Sequence, residues 1–314
     1  MTHCAEHERD TILQRQGKAV SRAEIQAGFQ PFGVLLSQGA RQLSDAGIEN
    51  ARRESRLLMA HALEKSLEQL VTLSPHELVP AEEFLAVLAR RVRREPMAFI
   101  TGTQGFWTLD LAVSPATLIP RADSETVISC LLEHKPNQDA ALAMLDLGTG
   151  SGCLLLAALS EYPNAWGVGV DINPQAASLA RRNAIGCGMA GRASLVAGRW
   201  DTALQGKRFD VVLSNPPYIP TADLAGLMPE VQTYEPVAAL DGGEDGMEAY
   251  RVLCNRLPHI LAPQGIAIFE IGIGQQHDLQ RVAEAAGVDV LEVRADLGGI
   301  ARAVVLRSRA EEGA

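Results

Sequence analysis

The strongest constraint on the fold of this 314-residue chain is an alternation of short, strand-like apolar runs with helix-length amphipathic ones, from about residue 120 onward. LAMLDLG (142–148), WGVGVDI (166–172), ASLVAG (193–198), FDVVLS (209–214) and GIAIFEIG (265–272) read as strands, and CLLLAALSEY and PQAASLARRNAIG as helices between them. Strands that are apolar on both faces and alternate with helices build a parallel sheet covered on both sides. The last two β-rich runs, VDVLEVRADLGG and IARAVVLRS, have no helix-length spacer and predict an antiparallel hairpin that finishes the sheet. In such a sheet ligands bind at the carboxyl ends of the strands. The motifs that carry chemistry are therefore sought there.

The first strand runs into Asp146-Leu147-Gly148-Thr149-Gly150-Ser151-Gly152 and then directly into a helix. Glycines at this turn let the backbone approach a ligand and let the helix pack close to the strand. Asp171, nineteen residues beyond Gly152, closes the second strand, where a carboxylate accepts both ribose hydroxyls of a nucleoside. A dinucleotide site asks for G-x-G-x-x-G. Here the third glycine comes one residue early and Cys153 takes its place. Asp146, two positions before Gly148, suits a ligand bearing an ammonium, and D-x-G-x-G-x-G is the pattern of S-adenosylmethionine-dependent methyltransferases. Asn173-Pro174 reads as a helix N-cap and first helical residue, without chemistry of its own.

The fourth strand ends in LSNPPYIP (213–220). Two consecutive prolines cannot continue a central strand, because neither offers an N–H to the ladder. The turn therefore holds Asn215 and Tyr218 stiffly at the ligand edge. The Asn215 side-chain carbonyl and the Pro216 main-chain carbonyl are placed to accept the two N–H bonds of an –NH2 group. That grip favours the positive charge that grows on nitrogen as a methyl group arrives. Pro217 adds stiffness, and Tyr218 is expected to stack on the flat acceptor. The motif says that a planar nitrogen is methylated; glutamine N5, adenine N6 and cytosine N4 all qualify.

Composition narrows the choice. The formal net charge of −10 argues against a protein that clamps nucleic acid by neutralising phosphates. The one dense basic run, RRVRR (90–94), reads as a solvated helix end. An enzyme acting on a duplex base must flip it out and grip the backbone, so the acidic balance favours a protein substrate. Five scattered cysteines without a CxxC pair, and histidines without metal-ligand spacing, predict neither disulfides nor a metal. With no long apolar run and a polar N-terminus, the expectation is a cytoplasmic protein with no membrane association.

Upstream, residues 1–32 are polar and predict a disordered or loosely attached tail. Residues 33–95 carry helical spacing, as in SRLLMAHALEKSLEQL, and predict a small all-α domain with breaks at DAG (45–47) and SPHELVP (74–80). Residues 96–120, containing FITGTQGFWTLDLAV, predict a β-hairpin linker, and 121–314 the methyltransferase domain.

Taken in order, REPMAFITGTQGFW, LIPRADSETV, LDLGTGSG, SNPPYIP, EVQTYEPVAALDGGEDGMEAYR and FEIGIGQ resemble the HemK-like glutamine N5-methyltransferases that modify peptide chain release factors. The resemblance covers roughly residues 35 to 308. It implies a class I, seven-stranded, mostly parallel α/β methyltransferase domain behind a helical substrate-recognition domain and a hairpin. It implies S-adenosyl-L-methionine as donor, with S-adenosyl-L-homocysteine as product, and as substrate the glutamine of a Gly-Gly-Gln loop on class I release factors. By motif, Gly148, Thr149, Gly150, Ser151, Gly152, Asp171, Trp200 and Asn215 would contact the cofactor. Asn215, Pro216, Pro217 and Tyr218 would contact the glutamine, and Trp200 would pack on the adenine. A sister family that methylates a ribosomal-protein glutamine shares NPPY, and DNA adenine-N6 enzymes are more distant rivals. The chain departs from the family pattern at Ala122, Ser124 and Arg199, with Asp201 following Trp200 instead of an acid preceding it. Arg121, Glu125 and Glu235 lie in family motifs without an assigned role.

Overall fold

The computed structural model describes residues 28–309 except 203 and 205. The expected tail falls outside these residues up to position 27. The chain divides into two compact units, one ending at Thr101 and one beginning at Gly102.

The first unit holds β1 (Phe29–Pro31), α1 (Phe32–Asp45), α2 (Ala51–Ala62), α3 (Leu67–Val71), β2 (Leu78–Pro80), α4 (Glu82–Val92) and α5 (Met97–Thr101). Its core is the apolar stripe that the helical spacing foretold: Leu35, Leu43, Leu58, Met59, Phe84 and Leu88 are buried together. Gly39 lets α1 approach α2 and α4, because a Cβ there would sit 2.5 Å from Ser55 Oγ and 2.8 Å from Phe84 Cζ. α3 starts in a capping box between Ser66 and Gln69.

Three details depart from the sequence expectation. Phe29–Pro31, assigned to the tail, pairs antiparallel with Leu78–Pro80, so among the described residues the unit is helical apart from one short ladder. Both strands end in a proline, where a long-range backbone partner decides between loop and strand. Met97–Thr101, expected as the start of a hairpin, forms one helical turn that buries Ala98, Phe99 and Ile100 together, with the Pro96 carbonyl accepting from the N–H groups of Phe99 and Ile100. The RRVRR run is not a simple solvated end: Arg91 is buried and pairs with Glu54 at 2.6 Å, while Arg94 donates to the carbonyls of Ala46 and Gly47.

The second unit opens with a hairpin of β3 (Thr103–Phe106) and β4 (Leu109–Ala112). It then runs α6 (Glu125–His134), β5 (Ala143–Leu147), α7 (Cys153–Glu161), β6 (Trp166–Asp171), α8 (Pro174–Gly186), β7 (Ala193–Ala197) and β8 (Phe209–Ser214). It ends with α9 (Pro229–Tyr234), α10 (Glu248–Ile260), β9 (Leu261–Glu270), α11 (Gln276–Ala285), β10 (Val288–Ala295) and β11 (Ala301–Ser308). Seven strands form one sheet in the order β10-β11-β9-β8-β5-β6-β7. Neighbours from β9 to β7 are parallel, and β11 and β10 pair antiparallel, as the closing β-rich runs predicted. Two apolar clusters lie on its faces, one around Leu155, Leu159, Val211 and Ile268, the other around Leu147, Tyr250, Leu257 and Phe269.

The hairpin is fastened to this second unit. The Asn183 amide of α8 bridges the Ala112 N–H and carbonyl at 2.9 and 3.0 Å. Glu125 accepts from the Trp107 N–H at 2.8 Å, and Glu161 accepts from its indole N–H at 2.6 Å. The chain order reverses between β5 and β8: it winds outward through β6 and β7, then returns to β5's other side. Ligand crevices open at such a reversal. No helix of the described residues is long and apolar enough to cross a membrane.

Candidate active site

At the reversal point, the carboxyl ends of β5, β6 and β8 surround a cavity of about 290 Å³. That is at the small end for a small-molecule site. Gly148 and Gly150 form one wall, Asp171 and Asn173 a second, Trp200 a third, and Asn215 and Pro217 close it.

The glycine turn is a consequence of local backbone demand. Gly148, Gly150 and Gly152 all have positive φ, at 77°, 55° and 85°, a region where a side chain is strained. The turn hangs from β6, since the N–H groups of Gly148 and Thr149 both donate to the Val170 carbonyl, at 2.9 and 3.0 Å. A Cβ on Gly148 would point toward the Trp200 ring, 4.0 Å away, and narrow the cavity. Gly152 serves packing instead, because a Cβ there would meet Ala180 and Leu156 at 3.2 and 3.3 Å.

Asp171 is oriented by two backbone donors. One oxygen accepts from the Gly150 N–H at 2.9 Å and the other from the Asn173 N–H at 2.8 Å. A carboxylate has about four acceptor positions, so each oxygen keeps one for a further donor. Burial pushes the Asp171 carboxyl up, and the Asn173 and Gly150 N–H groups pull it back. Asn173 caps α8 as expected, accepting from the Gln175 N–H, and its amide also donates to the Ala116 carbonyl at 3.0 Å. Trp200 holds φ at 51°, an uncommon conformation for a bulky residue, and its half-buried ring forms the cavity wall.

Several expected residues stand elsewhere. Thr149 is buried and its hydroxyl donates to Asp146 at 2.6 Å, while Ser151 is buried with its hydroxyl unpaired among the described residues. Neither side chain lines the cavity. Asp146 is 1% exposed beneath the turn, not facing a ligand ammonium; burial pushes it to about 7, against the pull of the Thr149 hydroxyl. Asp201 is buried and pairs with Arg256 at 2.8 Å, so Arg199 is the charged side chain beside Trp200 on the cavity wall. Pro216 is buried, and the Tyr218 hydroxyl donates to Glu270 at 3.2 Å.

The proline corner is clamped from outside. The Ile219 N–H donates to Leu240 and the Ile219 carbonyl accepts from Gly242, at 3.0 and 2.8 Å. Gln275 donates to the Tyr218 carbonyl at 2.8 Å. Gly242 and Gly246 are needed there, since a Cβ on either would lie 2.8 Å from Tyr218 Cα or 2.4 Å from its carbonyl oxygen. Behind the strand end, the Ser214 hydroxyl ties β8 to the Leu147 carbonyl at 2.6 Å. Stiffness thus comes from the ALDGGEDG segment and Gln275 as well as from the prolines.

Sequence reasoning missed the remaining walls, Ala116–Leu118 and Pro236, Ala238 and Ala239; the last three lie in the EVQTYEPVAALDGG motif, which had no assigned role. Glu235 joins them: it is buried, one oxygen accepts from the Ile119 N–H at 3.1 Å and the other pairs with Arg121. Arg121 therefore braces the cavity, while Glu125 braces the hairpin. Arg121→Ala leaves the Glu235 carboxylate buried with one N–H. With the Arg121 side chain 38% exposed, the loss of stability should be about 2 kcal/mol, together with weaker donor binding. Chemical denaturation and ligand titration measure the two effects. Among the described residues no group of three His, Cys, Asp or Glu side chains is placed to hold a metal.

The residues present fit a nucleoside-bearing methyl donor: a close-approach glycine wall, an oriented carboxylate with spare acceptor positions, and an aromatic wall. Comparison with known proteins agrees. Residues 35–102 match the PrmC N-terminal domain and residues 122–226 the methyltransferase small domain. The release factor glutamine methyltransferase of Rhodospirillum rubrum is 43% identical over 290 residues, which span 92% of this chain and 88% of that protein. Its counterpart in Geobacter sulfurreducens is 42% identical over 267 residues, 83% of this chain and 91% of the relative. The Caulobacter vibrioides enzyme is 40% identical over 267 residues, covering 84% and 92% respectively. With the class I methyltransferase sheet, the helical unit before it and this identity along most of its length, the chain belongs to the release factor glutamine methyltransferase family.

Proposed function

We propose that this protein transfers a methyl group from S-adenosyl-L-methionine to the N5 amide nitrogen of the glutamine in the Gly-Gly-Gln loop of class I release factors, in the cytoplasm where they act. The observation that carries the reading is the clamped proline corner, whose Asn215 and Pro217 line the same cavity as Gly148, Asp171 and Trp200. The names of the relatives support the substrate.

S-adenosyl-L-methionine, when bound, supplies a methyl group made electrophilic by its sulfonium. Asp171 would hold the two ribose hydroxyls on its spare acceptor positions, and Trp200 would cover the adenine. An amide nitrogen is a poor nucleophile because its lone pair is delocalised into the carbonyl. Asn215 Oδ1 and the Pro216 carbonyl would take the two N–H bonds of the glutamine amide and fix the nitrogen before reaction. Both acceptors gain strength as positive charge builds on that nitrogen, which is selective stabilisation of the transition state. The proton is lost to solvent afterwards, so no side chain is needed as a base. Tyr218 has its hydroxyl turned to Glu270, so its part is to set the corner and present a ring edge or face to the acceptor.

Incubation of the protein and labelled donor with a release factor, a ribosomal-protein mixture and DNA in parallel tests the reading. Label is expected on the release factor, at the glutamine of Gly-Gly-Gln by mass spectrometry. Label confined to ribosomal protein or DNA would replace the substrate.

A further inference from the structure

We propose that Ser124 and Glu270 are positioning residues: a carboxylate–hydroxyl–amide chain fixes which end of the Asn215 side chain faces the cavity. The proposal rests on the reading that the Asn215 carbonyl grips the substrate amide. It gives a use to Ser124 of LIPRADSETV and Glu270 of FEIGIGQ, beyond the bracing roles of Arg121, Glu125 and Gln275 in the same motifs.

Glu270 ends β9 beside β8, where Ser214 pairs in register with Phe269, so Glu270 is level with Asn215 at the ligand edge. It is 1% exposed. One of its oxygens accepts from the Ser124 hydroxyl, and the other from the Tyr218 hydroxyl at 3.2 Å. Ser124, itself buried at the end of the Ala122–Ser124 turn, accepts from the Asn215 amide NH2 at 3.2 Å.

The polarity of the chain follows from donor and acceptor counting. An ionised carboxylate can only accept, so it claims the single proton of the Ser124 hydroxyl. The Ser124 oxygen is then left with lone pairs alone and can only accept from its other neighbour. Asn215 must show it the NH2 group, and its carbonyl oxygen is turned the other way. The two ends of an asparagine amide have nearly the same shape, so packing does not choose between them. A flipped amide would aim N–H bonds at the N–H bonds of the substrate and could not bind it. The acid at the root of the chain therefore selects the productive rotamer before substrate arrives.

A buried acid is an expensive way to fill this position. Burying a carboxylate carries a desolvation cost that an apolar side chain of similar volume avoids. The groups facing Glu270 offset part of it: the Ser124 and Tyr218 hydroxyls, and the charge of buried Arg302, which Asp296 and Asp123 hold at 3.3 and 3.4 Å. Tyr250 donates to the Glu270 main-chain carbonyl at 2.7 Å and leaves the carboxylate free for Ser124. Burial raises the Glu270 carboxyl, with Asp123 adding to the rise and Ser124, Arg302 and Tyr218 opposing it. A protonated Glu270 becomes a donor, and the Ser124 hydroxyl is then free to point at Asn215. Turnover should therefore be present above the raised Glu270 pKa and be lost as pH falls through it.

The test compares wild type, Ser124→Ala, Ser124→Thr and Glu270→Gln on whichever protein the wild type methylates. A wrong substrate would thus show in the choice of acceptor and not in the comparison. For Ser124→Ala, kcat should fall about 10- to 100-fold, the cost of a mispositioned contact, with the donor Kd close to wild type and the unfolding midpoint lowered by the loss of one hydrogen bond to the buried Glu270 carboxylate. Ser124→Thr keeps the hydroxyl and should recover most of the rate, which a purely steric role for a small residue would not allow. The wild-type kcat profile should show an acid limb above the ordinary carboxylate range, and Glu270→Gln should remove it. A Ser124→Ala protein with the wild-type kcat overturns the proposal, as does a folded Ser124→Thr protein no faster than Ser124→Ala. If the alanine variant does not fold, a wild-type kcat that stays flat down to the pH of unfolding overturns it equally.

Discussion

Replacing Asn215 with alanine should lower kcat by about 10²- to 10³-fold, the range seen when a single preorganised transition-state contact is removed. The fold should survive. Among the described residues the Asn215 side chain makes one partly buried hydrogen bond, to Ser124 at 3.2 Å, and such a bond contributes about 1 kcal/mol. The corner itself is kept by backbone bonds from Leu240 and Gly242 and by Gln275, none of which involves the Asn215 side chain. Steady-state kinetics with a release factor, beside a denaturation curve, separates the two effects. The KM for the protein substrate should change less than kcat, because the contact strengthens as charge develops on nitrogen. A variant with undiminished turnover would remove the basis for assigning methyl transfer to this corner.

Asp171→Ala should act on the other side of the cavity. Two hydrogen bonds from ribose hydroxyls to a carboxylate contribute about 1.5–3 kcal/mol each. Their loss should raise the donor Kd by about 10²-fold or more, while kcat at saturating donor changes far less. The substitution also strips the acceptor from the Gly150 and Asn173 N–H groups, so the glycine turn and the start of α8 should loosen and the unfolding midpoint fall. Calorimetric titration with S-adenosyl-L-methionine and with S-adenosyl-L-homocysteine gives the affinity directly. A rise confined to the protein-substrate KM would place Asp171 in the wrong half of the site. Asp171→Asn, which keeps one acceptor oxygen, should fall between the alanine variant and wild type.

The sequence announced both residues plainly. Asp171 ends an apolar strand at a fixed distance from a glycine turn, and Asn215 ends another against two prolines. Each is marked by its own neighbours. The Asn173-Pro174 helix start was equally plain, because an N-cap involves residues only two apart. The Thr149 and Ser151 side chains were harder to place. They sit in the motif, yet the turn directs both inward, and the loop's contribution to the cavity is backbone and not hydroxyl. The Met97–Thr101 turn and the Phe29–Pro31 strand were misread for the same kind of reason: each is short, and its conformation is chosen by what it packs or pairs against.

What the sequence determined alone was the alternation of strands and helices, the closing hairpin, the glycine turn and the proline corner. All of these follow from periodicity and from backbone preferences that act over a few residues. What only the tertiary structure decided was the set of partners across the site. Arg121 meets Glu235 over 114 positions, Ser124 meets Glu270 over 146, and Asn215 meets Ser124 over 91. Strand order and register bring these groups together, and neither is written in the spacing of any one segment. A side chain's hydrogen-bond partner, and hence the direction in which an amide points, is fixed only when distant strands have been laid side by side.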